Sequence, residues 1–248
     1  METAALGIMC KAPRVGATKT RLSPLLGAEA AAALSACFLR DVAGAIELVP
    51  ERFGAMGYGI YAPAGAEAEL RAVLPRSFSL VLQAHADFGA VLLRAARHLL
   101  ERGHDCALLI NSDSPTLPPS VLVQAIEALR RPGDRVVLGP AIDGGYCLIG
   151  LKAAHDRLFE DIPWSTADVF QLTCERAREI ALPSVVLPVW YDIDDAAAFS
   201  MLERELAGVP PPFAADGLVG GPAVATRTFI ETLAMRGTGP AVSAAVAP

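Results

Sequence analysis

KAPRVGATKTRL, residues 11–22, directly follows the apolar run AALGIMC of residues 4–10 and gathers Lys11, Arg14, Lys19 and Arg21 on one connection. A short run without a polar residue, closed by Lys11 and Pro13, is the pattern of a strand buried on both faces, here the first strand of a parallel sheet. Pro13 and Gly16 hold the following segment in a turn whose backbone N–H groups are free to face a ligand. The chain has 248 residues and a formal net charge of −6. Four positive side chains together on an acidic chain, with little acid close by, point to a specific anion, with phosphate or diphosphate as its chemistry. The bland alternative is a solvated turn.

The rest of the chain continues the alternation. A helix over residues 29–48, a strand over 56–61 closed by Pro63, a short helix over 67–74 and a strand over 78–83 complete a βαβαβ pattern. Asp87 is placed to cap a helix running to Arg102, which Gly103 ends. The apolar run CALLI, residues 106–110, then delivers Asn111, Ser112 and Asp113 just past a strand end. In open parallel sheets ligands bind beyond the carboxyl ends of the strands, so Asp113 belongs on the same edge as the basic loop. Pro118 and Pro119 open a helix to Arg131.

Strands over 135–138 and 146–151 flank Asp143, Gly144 and Gly145, which read either as a hairpin turn or as backbone that must approach a ligand. The run IPWST, residues 162–166, leads into a helix to Ile180 with Ser165 or Thr166 as cap. A strand over 184–189 ends in Asp192, Asp194 and Asp195, before a helix to Leu206. Beyond residue 208 the composition shifts to prolines, the Gly220–Gly221 pair, a short helix over 226–235 and an Ala/Pro/Gly tail. This divides the chain into a main domain, residues 1–208, and a C-terminal extension, residues 209–248, irregular beyond Gly237.

Bulk properties bound the function. An apolar content of 53% supplies a sizeable core, and a pI near 5.3 argues against a nucleic-acid binder. The five cysteines are scattered, with no C-x-x-C pair, as buried free thiols of a reducing compartment would be. No apolar run reaches the ~18 residues of a membrane span, and the N-terminus lacks a signal pattern. A cytoplasmic, soluble protein is expected.

The loop is neither a Walker A sequence nor a G-x-G-x-x-G turn, which disfavours an ordinary ATPase or dehydrogenase. The four histidines, His85, His98, His104 and His155, have no metal-ligand spacing. Asp113 reads as a metal carboxylate or a turn cap. Asp192 and Asp194, two apart on an extended segment, share one side and suit a hard divalent cation, unless Asp194 simply caps the last helix. Trp164 and Tyr146 could stack on a base or sugar or belong to the core. Together, three strand ends bring Asp113, Asp143 and Asp192/Asp194 towards one phosphate-binding loop. That is the inventory of Mg²⁺ or Mn²⁺, which use few carboxylates plus substrate phosphates.

In order, KAPRVGATKTRLSPLLG (11–27), NSDSPTLP (111–118), VLGPAIDGGYCLIGL (137–151), FEDIPWST (159–166) and YDIDD (191–195) resemble the arsenosugar-biosynthesis-type glycosyltransferases of the nucleotide-diphospho-sugar transferase superfamily. The resemblance spans residue 6 to about residue 206. It implies a single-domain GT-A-like, Rossmann-like α/β sandwich of three layers around a mostly parallel sheet. It also implies that Lys11, Lys19 and Arg21 contact the nucleotide phosphates, to which the loop itself adds Arg14 and Gly16, that Asp113 holds Mg²⁺ or Mn²⁺, and that Asp192 and Asp194 sit near the metal or cap the last helix. Asp143, Gly144, Gly145, Tyr146 and Trp164 would line the sugar or acceptor side, with Lys19, Arg21 and Asp143 catalytic. Asn111 stands where the family has Gly, and residues 87–91 read DFGAV where it has D-L-G-E-R. The KTRL loop is also similar to the guanylyltransferases that activate phospholactate and, more loosely, to sugar-phosphate nucleotidyltransferases. Two enzymatic readings follow, with a small-molecule acceptor in each: a metal-dependent glycosyltransferase with a nucleotide-sugar donor, or a nucleotidyltransferase that takes a nucleoside triphosphate and releases pyrophosphate. A third is a nucleotide-binding module without catalysis. Fold does not decide between them.

Overall fold

β1, Ala4–Lys11, is buried from Ala4 to Gly7 and again at Ile8 and Cys10, and only Lys11 at its carboxyl end is exposed. The computed structural model describes residues 2–83, 87–235 and 237. His85 and the tail beyond Gly237 lie outside the described residues.

β1 sits in the middle of a seven-stranded sheet with β2 (Ala55–Ala62), β3 (Ser79–Leu82), β4 (Cys106–Asn111), β5 (Val136–Pro140), β6 (Tyr146–Leu151) and β7 (Ser184–Val186). The spatial order is β3-β2-β1-β4-β6-β5-β7. Every neighbouring pair is parallel except those of β6, which runs antiparallel to both β4 and β5. Six strands therefore deliver their carboxyl ends to one edge. Strand order reverses between β1 and β4, which is where ligands bind in open α/β sheets.

Two layers of helices cover the sheet, following the alternation of its side chains. Leu6, Ile8 and Cys10 face α2 (Ala28–Glu47) and α5 (Pro119–Arg130), whereas Ala5 faces α4 (Phe88–Glu101). α6 (Val169–Glu179) joins the α4 layer, and α7 (Ala196–Leu206) and α8 (Val224–Met235) the α2 layer. All five cysteines are free and none is exposed. Burial pushes the Cys10 and Cys147 thiols up to about 12, so these sulfurs are packing rather than nucleophiles.

The local differences from the sequence reading have physical causes. The stretch after the basic loop is two helices, α1 (Ser23–Leu26) and α2, because Gly27 at φ 85° breaks the path between them. α3, Glu67–Arg71, stops before residue 74. Neither Ser165 nor Thr166 caps α6: the Thr166 hydroxyl donates to Pro163 O (2.8 Å), and the helix starts at Val169. β7 ends at Val186 rather than 189, since Pro188 has no N–H to continue the ladder. Looser contacts follow it, from Leu187 N to Leu138 O (2.8 Å) and Trp190 N to Pro140 O (2.9 Å). The last residues of the main domain are likewise recast. Asp195, not Asp194, caps α7 by accepting from Ala198 N (2.9 Å), and Asp194 is left for another partner.

α8 lies against α2, and its first N–H groups are capped from outside its own segment. Asp41 of α2 accepts from Ala225 N and Thr226 N, both at 2.8 Å. Gly220 and Gly221 press on the main fold: a Cβ at Gly220 would lie 2.0 Å from Glu205 Oε1, and Gly221 N donates to Thr116 O (2.8 Å).

Candidate functional site

Lys19 is the centre of the crevice. Its ammonium lies 3.0 Å from Asp113 Oδ1, beyond β4, and 2.8 Å from Asp194 Oδ1, beyond β7. The side chain is 5% exposed, while the two carboxylates retain 34% and 46%. Phe38 of α2 carries the ammonium on its other side, 5.6 Å from the ring centroid. Burial acts against the charge on Lys19, but Asp113 and Asp194 outweigh it and the net effect raises its pKa. Lys19 also holds φ 49°, the left-handed region in which a side chain other than glycine is uncommon. Local strain is thus coupled to an ion pair between residues far apart in the chain.

The acid side of the crevice is a cluster. Asp192 is pushed up to about 7, first by burial and then by Asp143, Asp194 and Asp113. Asp192 thus feels Asp143, Asp194 and Asp113, of which Asp113 and Asp194 pair with Lys19. The two loops are joined at the backbone as well, through Ile193 N to Asp113 O (2.9 Å). Behind them Trp190 Nε1 donates to Thr116 Oγ1 (3.2 Å), and the Tyr191 hydroxyl donates to Glu205.

The donor set is compatible with a hard divalent cation. Asp113 and Asp194 present carboxylate oxygens to a single cationic position, which the Lys19 ammonium marks. Among the described residues no three acid, histidine or cysteine side chains converge on a common point, so Asp192 stands outside that pair. Two carboxylates completed by substrate oxygens fit Mg²⁺, which seldom takes an all-protein cage.

The remaining sequence candidates divide. Lys11, at the end of β1, and Arg21, just before α1, are exposed at the same edge. Gly16 takes φ 73° in the turn between them. Arg14 points elsewhere: it forms a two-point bond to Glu69 of α3, Nη2 to Oε1 at 2.6 Å and Nε to Oε2 at 2.9 Å. The triplet Asp143–Gly144–Gly145 lies in the β5–β6 hairpin turn, with Asp143 Oδ1 accepting from Gly145 N (2.9 Å). Gly144, φ 91°, is held by the protein itself, since a Cβ there would lie 2.0 Å from Ala167 O. Trp164 meets Phe88 edge-on at 5.2 Å and Tyr146 at 6.5 Å between ring centroids. These aromatics tie the hairpin to the start of α4, whose Gly89 leaves room for the indole.

Sequence reasoning missed the Lys19–Asp113–Asp194 bridge, the Glu69 partner of Arg14, and the Thr116–Glu205 support. Only a D-x-D at a strand end and a lysine in a glycine-containing loop hinted at the first.

The chain matches the model of a family described as uncharacterized protein conserved in bacteria (DUF2064) over residues 49–166. The match includes Asp113 and the hairpin but neither Lys19 nor Asp194. Among solved structures, a provisionally assigned nucleotide-diphospho-sugar transferase from Desulfovibrio desulfuricans G20 is 26% identical, with a TM-score of 0.80 over 96% of this chain and 99% of that one. CMP:2-keto-3-deoxy-manno-octonic acid synthetase in complex with CTP shares the fold at 10% identity and a TM-score of 0.55, over 84% of this chain and 99% of its own. So does 4-diphosphocytidyl-2C-methyl-D-erythritol synthase at 12% identity and 0.55, over 82% and 98%. No curated protein matches the chain in sequence. The architecture is that of the nucleotide-diphospho-sugar transferase fold.

Proposed function

We propose that the protein is a metal-dependent glycosyltransferase that takes its donor as a nucleotide sugar and passes the sugar to a small-molecule acceptor. The observation that carries this reading is the convergence of Asp113 and Asp194 on the Lys19 ammonium, at the carboxyl edge where the strand order reverses. Lys11 and Arg21, both exposed and on the same loop as Lys19, would meet the diphosphate. Asp113 and Asp194 would hold Mg²⁺ or Mn²⁺, whose chemistry here is to neutralise charge on the diphosphate.

The chain's own residues do the rest. Lys19 transfers its ammonium from the carboxylates to the phosphates when nucleotide and cation arrive together, and with Arg21 it stabilises the leaving nucleoside diphosphate. Asp143, exposed on the hairpin and inside the acid cluster, accepts the proton of the acceptor hydroxyl. Gly145, Tyr146 and Trp164 form the wall behind it. The buried free thiols suit the cytoplasm. Among the described residues no helix is long and apolar enough to cross a membrane.

The test is a ³¹P NMR survey of nucleotide sugars and nucleoside triphosphates with sugar, alcohol and phosphorylated acceptors. Release of a nucleoside diphosphate from a nucleotide sugar is expected. Pyrophosphate release from a triphosphate, with nucleotide sugars untouched, replaces this reading by nucleotidyl transfer. Metal-dependent binding without any turnover leaves a binding module.

A further inference from the structure

The outer edge of the sheet, at β3, carries features that the Lys19–Asp113–Asp194 cluster does not use. β3 is an outermost strand, and among the described residues no strand pairs with its outer side. Gln83 N donates inward to Tyr61 O (2.8 Å), and alternate residues of a strand turn their N–H and C=O to opposite neighbours. Residues 79, 81 and 83 therefore serve β2, while Leu80 and Leu82 turn their N–H and C=O outward. The same parity governs Phe78, whose outward C=O is taken by Arg71 Nη1 (2.5 Å).

An open groove of about 560 Å³ runs along this edge. It is bordered by Arg71 from α3 on one face of the sheet, and by His98 and Arg102 from the α4 side on the other. Arg94 continues the basic row one turn earlier on the same side of α4. Among the described residues no carboxylate forms an ion pair with Arg71, Arg94 or Arg102, although the chain as a whole is acidic. Leu82, 49% exposed, lines the groove.

We infer that the β3 edge is a docking site for an extended acidic peptide segment, added as an eighth strand. The outward N–H and C=O groups of Leu80 and Leu82 supply the ladder, which gives affinity without sequence preference. Selectivity comes from the flanks. Successive side chains of an added strand point to opposite faces, so one set meets Arg71 and the other meets His98 and Arg102. Carboxylates on both sets satisfy both flanks, with an apolar residue against Leu82. A second copy of this chain is disfavoured, because edge-to-edge pairing brings these basic rows together. The chain's own tail is excluded by composition: residues 238–248, TGPAVSAAVAP, contain no Asp or Glu. This inference is independent of the transferase reading.

The probe is a labelled seven-residue peptide with valine at its first, fourth and seventh positions and glutamate elsewhere, followed by fluorescence anisotropy. Saturable binding that weakens with added salt is expected, and a lysine-for-glutamate peptide should not bind. The double variant Arg71→Ala/Arg102→Ala should bind at least about tenfold more weakly. Leu80→Pro should do the same, since it deletes an outward N–H and spares the bonds to β2. Because Leu80→Pro could disturb the fold, amide exchange of the wild-type protein gives a second readout. The peptide should slow exchange at Leu80 and Leu82 and leave Val81 unchanged. Absence of saturable binding overturns the proposal, as does equal binding of the lysine peptide. Binding that survives Leu80→Pro without protection of Leu80 and Leu82 reduces it to surface charge and overturns strand addition. A dimer in sedimentation that Leu80→Pro abolishes, with no peptide binding, assigns the edge to a second copy instead.

Discussion

Replacing Lys19 by methionine keeps the length of the side chain and removes only its charge. Each ammonium–carboxylate contact, at 3.0 and 2.8 Å, corresponds to about 6 kcal/mol of attraction at an effective dielectric of about 20. Most of that is offset by the several kcal/mol needed to take an ammonium out of water. Removing one partner of a fully buried pair costs about 3–5 kcal/mol, because the other charge is stranded. Here the stranded charges keep 34% and 46% exposure, so water recovers part of the loss. Lys19→Met should therefore lower the unfolding free energy at pH 7 by about 2 kcal/mol, read from urea denaturation.

The same substitution should move cation affinity in the opposite direction. With Lys19 in place a divalent ion must displace an ammonium from both carboxylates. Without it, Asp113 and Asp194 face each other uncompensated. Binding of Mn²⁺ alone, followed by the loss of its free EPR signal, should tighten by about tenfold in Lys19→Met. Nucleotide binding in the presence of metal should weaken, because a phosphate contact is lost. If Lys19→Met were as stable as the wild type and bound Mn²⁺ no better, the assignment of Lys19 as the resident counter-ion of a cation site would be refuted.

Other residues carry shorter tests. Asp192→Asn should stabilise the protein by about 2 kcal/mol above pH 7, a discounted figure for a carboxyl held near 7 when folded against 3.8 when unfolded. The raised pKa makes its ionised form a liability, so this gain should shrink as the pH falls through 7 and vanish below about 4, as urea titrations at stepped pH will read. Asp41→Ala removes both acceptors of the α8 N-terminus and should cost about 1–2 kcal/mol, with faster proteolysis within residues 224–235. Gly144→Ala places a methyl 2.0 Å from Ala167 O at φ 91°, and should cost at least about 2 kcal/mol by thermal unfolding.

What could be read from the chain was whatever short-range pattern decides. β1, β4 and β6 are apolar runs, and runs of that length are buried strands wherever they land in the sheet. Asp143–Gly144–Gly145 between two such runs makes a hairpin, and a hairpin forces β6 antiparallel among parallel neighbours. Asp87 caps the helix that follows it because a cap needs only three residues of context, whereas at the last helix the same rule offered Asp194 and the structure gives the cap to its neighbour Asp195. The placement of β7 outside β5 has no such local signature, and neither does the docking of α8 on Asp41, more than 180 positions away. Arg14 shows the limit most plainly. Its charge was legible, but its commitment to Glu69 depends on where α3 packs.

Charge placement, not motif, is what the structure adds to the basic loop. Read along the chain, Lys19 is one of four cations seeking an anion; in space its anion is already present as Asp113 and Asp194. Asp192 in turn feels Asp143, Asp194 and Asp113, which together with burial raise its pKa. Such a cluster approaches balance only by holding a proton, as the raised Asp192 does, or by admitting a further cation. On the proposed reading, a divalent ion that brings its own phosphates would satisfy both partners at once: the acids would gain a cation, and Lys19, released from them, an anion. The basic loop and the acidic strand ends are therefore one electrostatic unit. On that reading its balance point would be the loaded site, with neither half interpretable without the other.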